Sequence, residues 1–165
     1  MNTLHIHPPA IRTAQAIGLT GSAILAGASL VMSFINVPTF LLAPAPVLVK
    51  QWKHNFIAGR AALPLLSVIS AGANFYLYSR SAYTLPSYLF AGLTSVGIIP
   101  YTVVFMRGVN GRLMGMAEGV EEGEMGRVGS LESVHELVDW WGVLQLGRTG
   151  LVCVSAVLNV WNVFC

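Results

Sequence analysis

The chain is 165 residues long, and 55% of these residues are hydrophobic while only 10% are charged. Soluble domains carry about 25% charged residues, so the composition indicates an integral membrane protein. The net charge of +2, without a basic stretch that contains aromatic residues, argues against a nucleic-acid-binding protein. The length fits one domain, which we expect to cover residues 1–165.

Four apolar segments follow one another, at about residues 14–35, 61–78, 86–106 and 144–164. Each has roughly the 17–25 residues that a transmembrane helix needs. The first segment has small residues at every fourth position, a pattern that favours close packing against another helix. These residues are Ala14, Gly18, Ser22 and Ala26. The sequence therefore predicts an all-α fold, a four-helix transmembrane bundle.

The connections between these segments differ in length. Residues 79–85 form a short link, so the second and third helices should be antiparallel neighbours. Residues 37–59 form a longer, proline-rich connection, and residues 107–143 carry all seven acidic residues of the chain. Glycine at every fourth position from Gly111 to Gly123 indicates that this last connection begins as a flexible loop.

The end of the last connection has a different pattern. Leu131, Val134, Val138 and Trp141 fall on one face of a helix. We therefore expect a short amphipathic helix that lies on the membrane surface and leads into the fourth span.

The basic residues predict the orientation of the bundle. The side with the two long connections carries Lys50, Lys53, Arg60, Arg107, Arg112, Arg127 and Arg148. The opposite side carries Arg12 and Arg80. Because cytoplasmic loops are enriched in lysine and arginine, the long connections should be cytoplasmic and both termini should lie across the membrane from them.

Prolines mark the second and third spans. Pro64 falls in the first turn of the predicted second span, where a missing N–H group is tolerated. Pro100 lies inside the third span, so a local carbonyl loses its helical hydrogen bond. In lipid another group must satisfy such a carbonyl, and we expect Tyr101 or Thr102 to do so.

Most known catalytic motifs are absent from the sequence. It contains no P-loop, no dinucleotide-binding fingerprint and no G-x-S-x-G sequence. Glu132 and His135 form one E-x-x-H motif, but a di-iron bundle needs two such motifs and two further glutamates on other helices. We therefore predict no metal site.

Four blocks of residues follow one another in a characteristic order along the chain. They are Asn36 and Pro38; Trp52, Phe56, Gly59 and Pro64; Pro100, Tyr101, Thr102, Asn110, Arg112 and Leu113; and Trp141 with Arg148. This order, together with four spans, resembles the family of anthrone oxygenase-like membrane proteins, which includes small oxygenases of fungal aromatic polyketide pathways. The sequence departs from the family pattern at two positions. Phe56 stands where the family usually has tyrosine, and Gln145 stands where it often has asparagine.

The resemblance implies that the chain oxidises an anthrone to an anthraquinone with molecular oxygen and without a metal or flavin cofactor. It also implies a hydrophobic polycyclic aromatic substrate and a location in the endoplasmic reticulum or another endomembrane. The lipid membrane is the expected environment, nucleic acid is not an expected partner, and a homo-oligomer is compatible with this picture.

For this reaction we assign roles to particular residues as a hypothesis. His54 is the first candidate for the catalytic base, because an unperturbed histidine titrates near working pH. Asp139 and His135 are the alternative bases. Arg60 and Arg148 are candidates for holding an oxyanion formed on the substrate.

The candidate substrate-binding residues are aromatic or carry amides. Trp52 and Trp141 are expected to sandwich the ring system, and the substrate hydroxyls are expected to bond to Asn36, Asn74 and Asn110. For Arg60, Arg148 and Asn110 an alternative is that they only tie helix ends together.

A function of another class is also open. A non-catalytic membrane scaffold or partner subunit would explain the glycine-rich acidic connection and the absence of a standard motif. A transporter is disfavoured, because the spans lack intramembrane charge and show no clear inverted repeat.

Overall fold

The computed structural model describes residues 8–80, 86–123 and 131–164, and these ranges form four long helices. We number them α1 (Pro9–Leu41), α2 (Ala45–Arg80), α3 (Pro86–Glu121) and α4 (Leu131–Phe164). Each is long and apolar enough to cross a membrane, which confirms the predicted all-α four-span fold. At about 1.5 Å per residue, the 36 residues of α2 extend well beyond a hydrocarbon core of about 30 Å.

The four helices are arranged as an up-and-down bundle. Each helix packs against its neighbours in sequence, and α1 closes the ring against α4. The predicted pairing of α2 with α3 is confirmed. Residues 81–85 of the short link between these two helices lie outside the described part of the chain.

Small residues bring α1 close to its neighbours, as predicted. Ala14, Gly18, Ser22 and Ala26 are all buried. At Gly21, on the same side of α1, an added methyl group would lie only 3.0 Å from the Cβ of Ser70 on α2. The small side chains therefore allow the close approach of α1 to α2.

The prediction of a proline-rich connection over residues 37–59 is wrong, because both flanking helices continue into this range. Pro38 lies in α1 shortly after a π-helical segment, Met32–Asn36, and the neighbouring Thr39 hydroxyl donates to the carbonyl of Ile35 (2.7 Å). Pro46 occupies the first turn of α2, where its missing N–H group costs little. The remaining connection comprises residues 42–44.

The flexible loop predicted after residue 107 is also wrong, since α3 continues to Glu121. Leu113 and Ala117 are fully buried on one face, and this burial offsets the cost of the glycines, which is about 1 kcal/mol each. The helix ends where Gly123 adopts a φ of +79°, a left-handed conformation that glycine enters without strain.

The predicted amphipathic helix is helical but is not a separate element. It forms the first turns of α4, and Val134, Val138 and Trp141 are buried. These side chains pack against apolar residues of α1, α2 and α3, and we call this group the basal core. It consists of Val37, Phe40, Ala45, Leu48, Val49, Trp52, Met106, Leu113, Ala117, Val134, Leu137, Val138 and Trp141.

The two prolines of the middle spans lie inside helices. The prediction that Pro64 lies in the first turn of its helix is wrong, because α2 begins at Ala45. Its missing N–H group removes the helical partner of the Arg60 carbonyl. In α3, a turn at Gly97 precedes Pro100, and a second π-helical segment, Thr102–Met106, follows it.

Candidate functional site

A cavity of about 240 Å³ lies among all four helices, next to the basal core. Its volume is just below the range of about 300–1,000 Å³ that is common for small-molecule sites. Two lining residues are exposed, Arg60 on α2 and Val103 on α3. In contrast, Ser29 on α1 and Gln145 on α4 are buried. The cavity therefore opens between α2 and α3 and is closed by α1 and α4.

Helical spacing places the lining residues on matching faces. On α4, Trp141, Gln145 and Arg148 line the cavity, and they are separated by four and three residues. On α2, Phe56 and Arg60 line it and are four residues apart. Residues three and four apart lie on one face of a helix, so each helix presents a continuous stripe to the cavity.

Both π-helical segments contribute to the cavity wall. Met32 belongs to the first segment, and Thr102 and Val103 belong to the second. The Thr102 hydroxyl donates to the carbonyl of Ile98 (2.7 Å), which also accepts from the backbone N–H of Thr102. The carbonyl that Pro100 deprives of its helical donor is that of Val96, so this bond is not the predicted compensation. π-helical turns often occur at functional sites, because they change the direction of the side chains that follow.

The Tyr101 hydroxyl has a different partner. It donates to the carbonyl of Leu144 on α4 (3.0 Å) and so joins α3 to α4 beside the cavity.

An aromatic cluster forms the end of the cavity nearest the basal core. Phe56 stacks on Trp52 with a centroid distance of 5.0 Å and an interplanar angle of 11°. Trp52 meets Trp141 edge to face, with a centroid distance of 5.9 Å and an angle of 90°. Phe56 and Trp141 line the cavity and Trp52 lies behind them. The two tryptophans therefore contact each other and leave no gap in which to sandwich a ring.

Asn110 supports this cluster. Its Oδ1 accepts a hydrogen bond from Nε1 of Trp141 at 2.8 Å, which links α3 to α4. Asn110 is not among the residues that line the cavity, so its described contact is with the protein.

The polar part of the cavity is cationic. Arg60 and Arg148 both line it. Nε of Arg148 is buried and has no hydrogen-bond partner within the described ranges. In those ranges the one ion pair joins Lys53 to Glu121 (2.7 Å), so neither cavity arginine has a carboxylate partner there. Burying a charge without a partner is costly, and an anion in the cavity would offset that cost.

Gln145 adds a second unsatisfied group to the same wall. Its side chain is 1% exposed, and its Oε1 is buried without a hydrogen-bond partner in the described part of the molecule. The cavity therefore combines cationic donors, a neutral acceptor and flat apolar walls.

The candidate bases lie outside this cavity. His54 is exposed and lines a surface depression together with Lys50, Lys53 and Glu121. Asp139 is exposed on α4. The ring Nε2 of His135 lies 3.0 Å from the carbonyl of Ala43.

Two of the candidate amides also lie elsewhere. Asn36 contacts the sulfur of Met32 through its Nδ2 (3.9 Å) and is half-buried. Asn74 is fully buried, donates to the carbonyl of Ser70 (2.9 Å) and lies beside Gly18 and Asn159. Neither residue lines the cavity, so a direct contact with a ligand bound there is not part of this geometry.

No group of three or more histidine, cysteine, aspartate or glutamate residues comes together in the described ranges. The side chain of Glu132, part of the E-x-x-H motif, lies outside the described side chains. The lining residues offer amide, hydroxyl, indole and guanidinium groups instead of the ligands that metals commonly use.

Sequence analysis did not assign roles to Gln145, Asn55 or Ser29, which line the cavity. For Gln145 a signal was present, because it lies four residues after Trp141 and three before Arg148. Asn55 and Ser29 have no comparable pattern in the sequence.

The fold and the site define a four-span membrane protein with an interior cavity that has aromatic and apolar walls and is lined by two arginines. Residues 52–158 match the model of the anthrone oxygenase family. The chain belongs to this family.

Curated relatives support the assignment. An anthrone oxygenase of Cryptosporiopsis sp. is 30% identical over 84% of this chain and 78% of its own length. An anthrone oxygenase of Emericella nidulans is 28% identical, over 86% of this chain and 92% of its own. A noranthrone monooxygenase of Aspergillus flavus is 28% identical, over 88% and 70%. No solved structure matches the chain.

Proposed function

We propose that this protein is an oxygenase that converts an anthrone to the corresponding anthraquinone with molecular oxygen. The observation that carries the proposal is a cavity with aromatic walls into which two arginines project without a carboxylate partner in the described ranges. The family membership and the names of the curated relatives point to the same reaction.

The first step is loss of a proton from the methylene carbon of the anthrone. The resulting anion is a fully aromatic phenolate, with its negative charge on the former ketone oxygen. Guanidinium groups of Arg60 and Arg148 favour the charged form of this oxygen, because a nearby opposite charge lowers the pKa of the substrate. The anthrone and its phenol tautomer share this anion, so stabilising it makes loss of the methylene proton easier near neutral pH.

The proton needs an acceptor, and water at the open side of the cavity is our proposal. His54 and Asp139, the bases predicted from the sequence, are exposed and do not line the cavity. Either residue would have to act through intervening water. The arginines then provide most of the catalytic effect, since electrostatic stabilisation of an oxyanion is commonly the largest contribution to catalysis.

The second step uses the electron-rich anion as the reductant of oxygen. The anion transfers one electron to O₂, and the carbon radical and superoxide combine to form a C–O bond. Protonation gives a hydroperoxide on the former methylene carbon, and loss of water from it leaves the second carbonyl. One anthrone and one O₂ give one anthraquinone and one water, and the substrate supplies all the electrons.

The reaction therefore needs no metal or flavin, and we propose that the protein uses none. We also propose that it resides in the endoplasmic reticulum or another endomembrane, with the α1–α2 turn and the α3–α4 connection in the cytoplasm. Membrane residence suits a polycyclic substrate that dissolves in lipid. The protein acts without a nucleic-acid partner, and a homo-oligomer is compatible with the proposal.

The proposal is tested by oxygen uptake with purified protein in detergent, supplied with an anthrone in the presence of EDTA. We expect an equivalent of O₂ to be consumed per quinone formed, and no flavin absorption in the purified protein. The Arg60→Met, Arg148→Met double variant is the control for spontaneous oxidation of the anthrone. Equal rates for the two proteins would favour the non-catalytic scaffold instead. Loss of activity in EDTA that iron restores would overturn the cofactor-free mechanism.

A further inference from the structure

Gln145 occupies a position that calls for a hydrogen-bond donor from a ligand. It lines the cavity, is 1% exposed, and its Oε1 has no partner within the described part of the chain. Leaving a buried acceptor unpaired costs about 1–3 kcal/mol. A ligand that brings a donor to this oxygen recovers that cost.

The hydroxyl groups near Gln145 already bond to other acceptors. Tyr101 donates to the Leu144 carbonyl (3.0 Å) and Thr102 donates to the Ile98 carbonyl (2.7 Å). The hydroxyls of Ser33 and Thr149 lie 2.8 Å apart and bond to each other. These protein groups are therefore committed elsewhere.

The backbone around Gln145 is also fixed. The Thr149 hydroxyl lies 2.9 Å from the carbonyl of Gln145 and 3.2 Å from that of Ser29, which joins α4 to α1 at this level. Arg148 follows Gln145 by three residues, so their side chains leave the helix as neighbours, with Cβ atoms about 5–6 Å apart. A ligand oxygen bound by Arg148 thus has the Gln145 amide beside it.

We propose that Gln145 is a specificity-determining residue that accepts a hydrogen bond from a phenolic hydroxyl of the substrate while Arg148 binds the substrate oxygen that becomes negatively charged. This inference rests on the proposed function. Arginine has donors and no acceptor, so it recognises the oxyanion but not the hydroxyl proton. Gln145 supplies the missing acceptor.

The test compares Gln145→Met, which keeps the length of the side chain but removes the amide, with the unmodified protein. The ligands are a dihydroxyanthraquinone and its O-methyl ether, which lacks the donor. Affinity is followed by quenching of tryptophan fluorescence, since Trp141 lines the cavity. One neutral hydrogen bond contributes about 1 kcal/mol, so we expect the preference for the hydroxylated ligand to fall about fivefold to tenfold in the variant.

Thr94→Val is the matched control, because it also removes a hydroxyl whose hydrogen bond is made within α3, but at a position that does not line the cavity. The preference for the hydroxylated ligand should be unchanged in this variant. A preference that survives Gln145→Met, or that falls equally in Thr94→Val, overturns the proposal. If Gln145→Met does not accumulate, Gln145→Leu decides, because it also removes the amide acceptor and should lose the same preference.

Turnover of the matching anthrones separates this inference from the proposed function. If the unmodified protein binds the hydroxylated ligand preferentially through Gln145 but oxidises no anthrone, the proposed function fails and the role of Gln145 stands. The two anthrones are the hydroxylated one and its O-methyl ether. If Gln145→Met oxidises each of them with the same kcat/KM as the unmodified protein, the role of Gln145 fails and the proposed function stands.

Discussion

Arg60 on α2 and Arg148 on α4 both line the cavity, but their surroundings differ. Arg60 is exposed at the open side of the cavity, whereas Nε of Arg148 is buried. The long side chain of Arg60 can reach towards the membrane surface, so its charge is easier to hydrate. Arg148 has less access to water, and an anion in the cavity should depend more on it.

Replacing either arginine by lysine should therefore reduce catalysis without preventing folding. Lysine keeps the charge but lacks the planar fork of donors. We expect at least one of Arg60→Lys and Arg148→Lys to lower kcat by roughly 30- to 1,000-fold, or about 2–4 kcal/mol, with the larger effect at Arg148. Arg107→Lys, on the exposed surface of α3, is the control and should keep full activity.

Kinetics at saturating anthrone with equal amounts of membrane-inserted protein measure this effect. Unchanged turnover in both cavity variants would contradict the oxyanion role. Failure of both to accumulate would show that the arginines hold the helices together.

At the residue scale, sequence reasoning found the two arginines because a charge next to an apolar run is conspicuous. It selected His54 by chemistry alone. His54 precedes Phe56 by two residues, and residues two apart on a helix do not share a face. An expected loop over residues 37–59 has no helical periodicity, so the sequence alone does not predict that His54 lies outside the cavity.

At the scale of helices, close contacts between neighbours depend on glycine at particular positions. Gly92 of α3 is buried against the Phe75 ring of α2. An added Cβ would lie 2.5 Å from the nearest ring atom, so either the ring or the helix would have to move. Gly92 lies 11 residues from Val103 and Phe75 lies 15 residues from Arg60, so this contact sets the α2–α3 spacing at a distance from the cavity opening.

Gly92→Ala should lower the free energy of unfolding by about 1–3 kcal/mol, the usual cost of overpacking. Gly72→Ala is the control, because a Cβ there has no atom within 4 Å. Alanine is a better helix former by up to about 1 kcal/mol, so this control should be neutral or stabilising. Thermal unfolding in detergent measures both, and an equal change in melting temperature for the two variants would rule out the contact with Phe75 as the cause.

The helix boundaries show where sequence patterns are insufficient. Periodic apolar residues predicted the four spans, and small residues predicted the packing face of α1. Proline and glycine typically indicate loops, but Pro38, Pro46, Gly111 and Gly115 are all helical. Burial in the basal core outweighs their weak local preferences, and that burial depends on contacts between distant segments that local patterns do not reveal.

For the whole molecule, the distribution of basic residues determines the predicted orientation. We expect both termini to lie on the non-cytoplasmic side and the α1–α2 turn to face the cytoplasm. In sealed microsomes, tags at either terminus should resist added protease, while a tag inserted after Gly123 should be digested. Digestion of both terminal tags would invert the orientation and place the basic residues on the luminal side.

The opening between α2 and α3 determines the concentration scale on which this protein meets its substrate. Val103 at the opening is 56% exposed, and the adjacent Val104 and Phe105 are 70% and 57% exposed, so the surrounding surface is compatible with lipid tails. A planar aromatic ketone that enters here reaches the cavity by diffusing within the plane of the membrane. Its mole fraction in the bilayer, rather than its molarity in water, then governs occupancy of the cavity. The same total amount of substrate is saturating in a small membrane area and dilute in a large one.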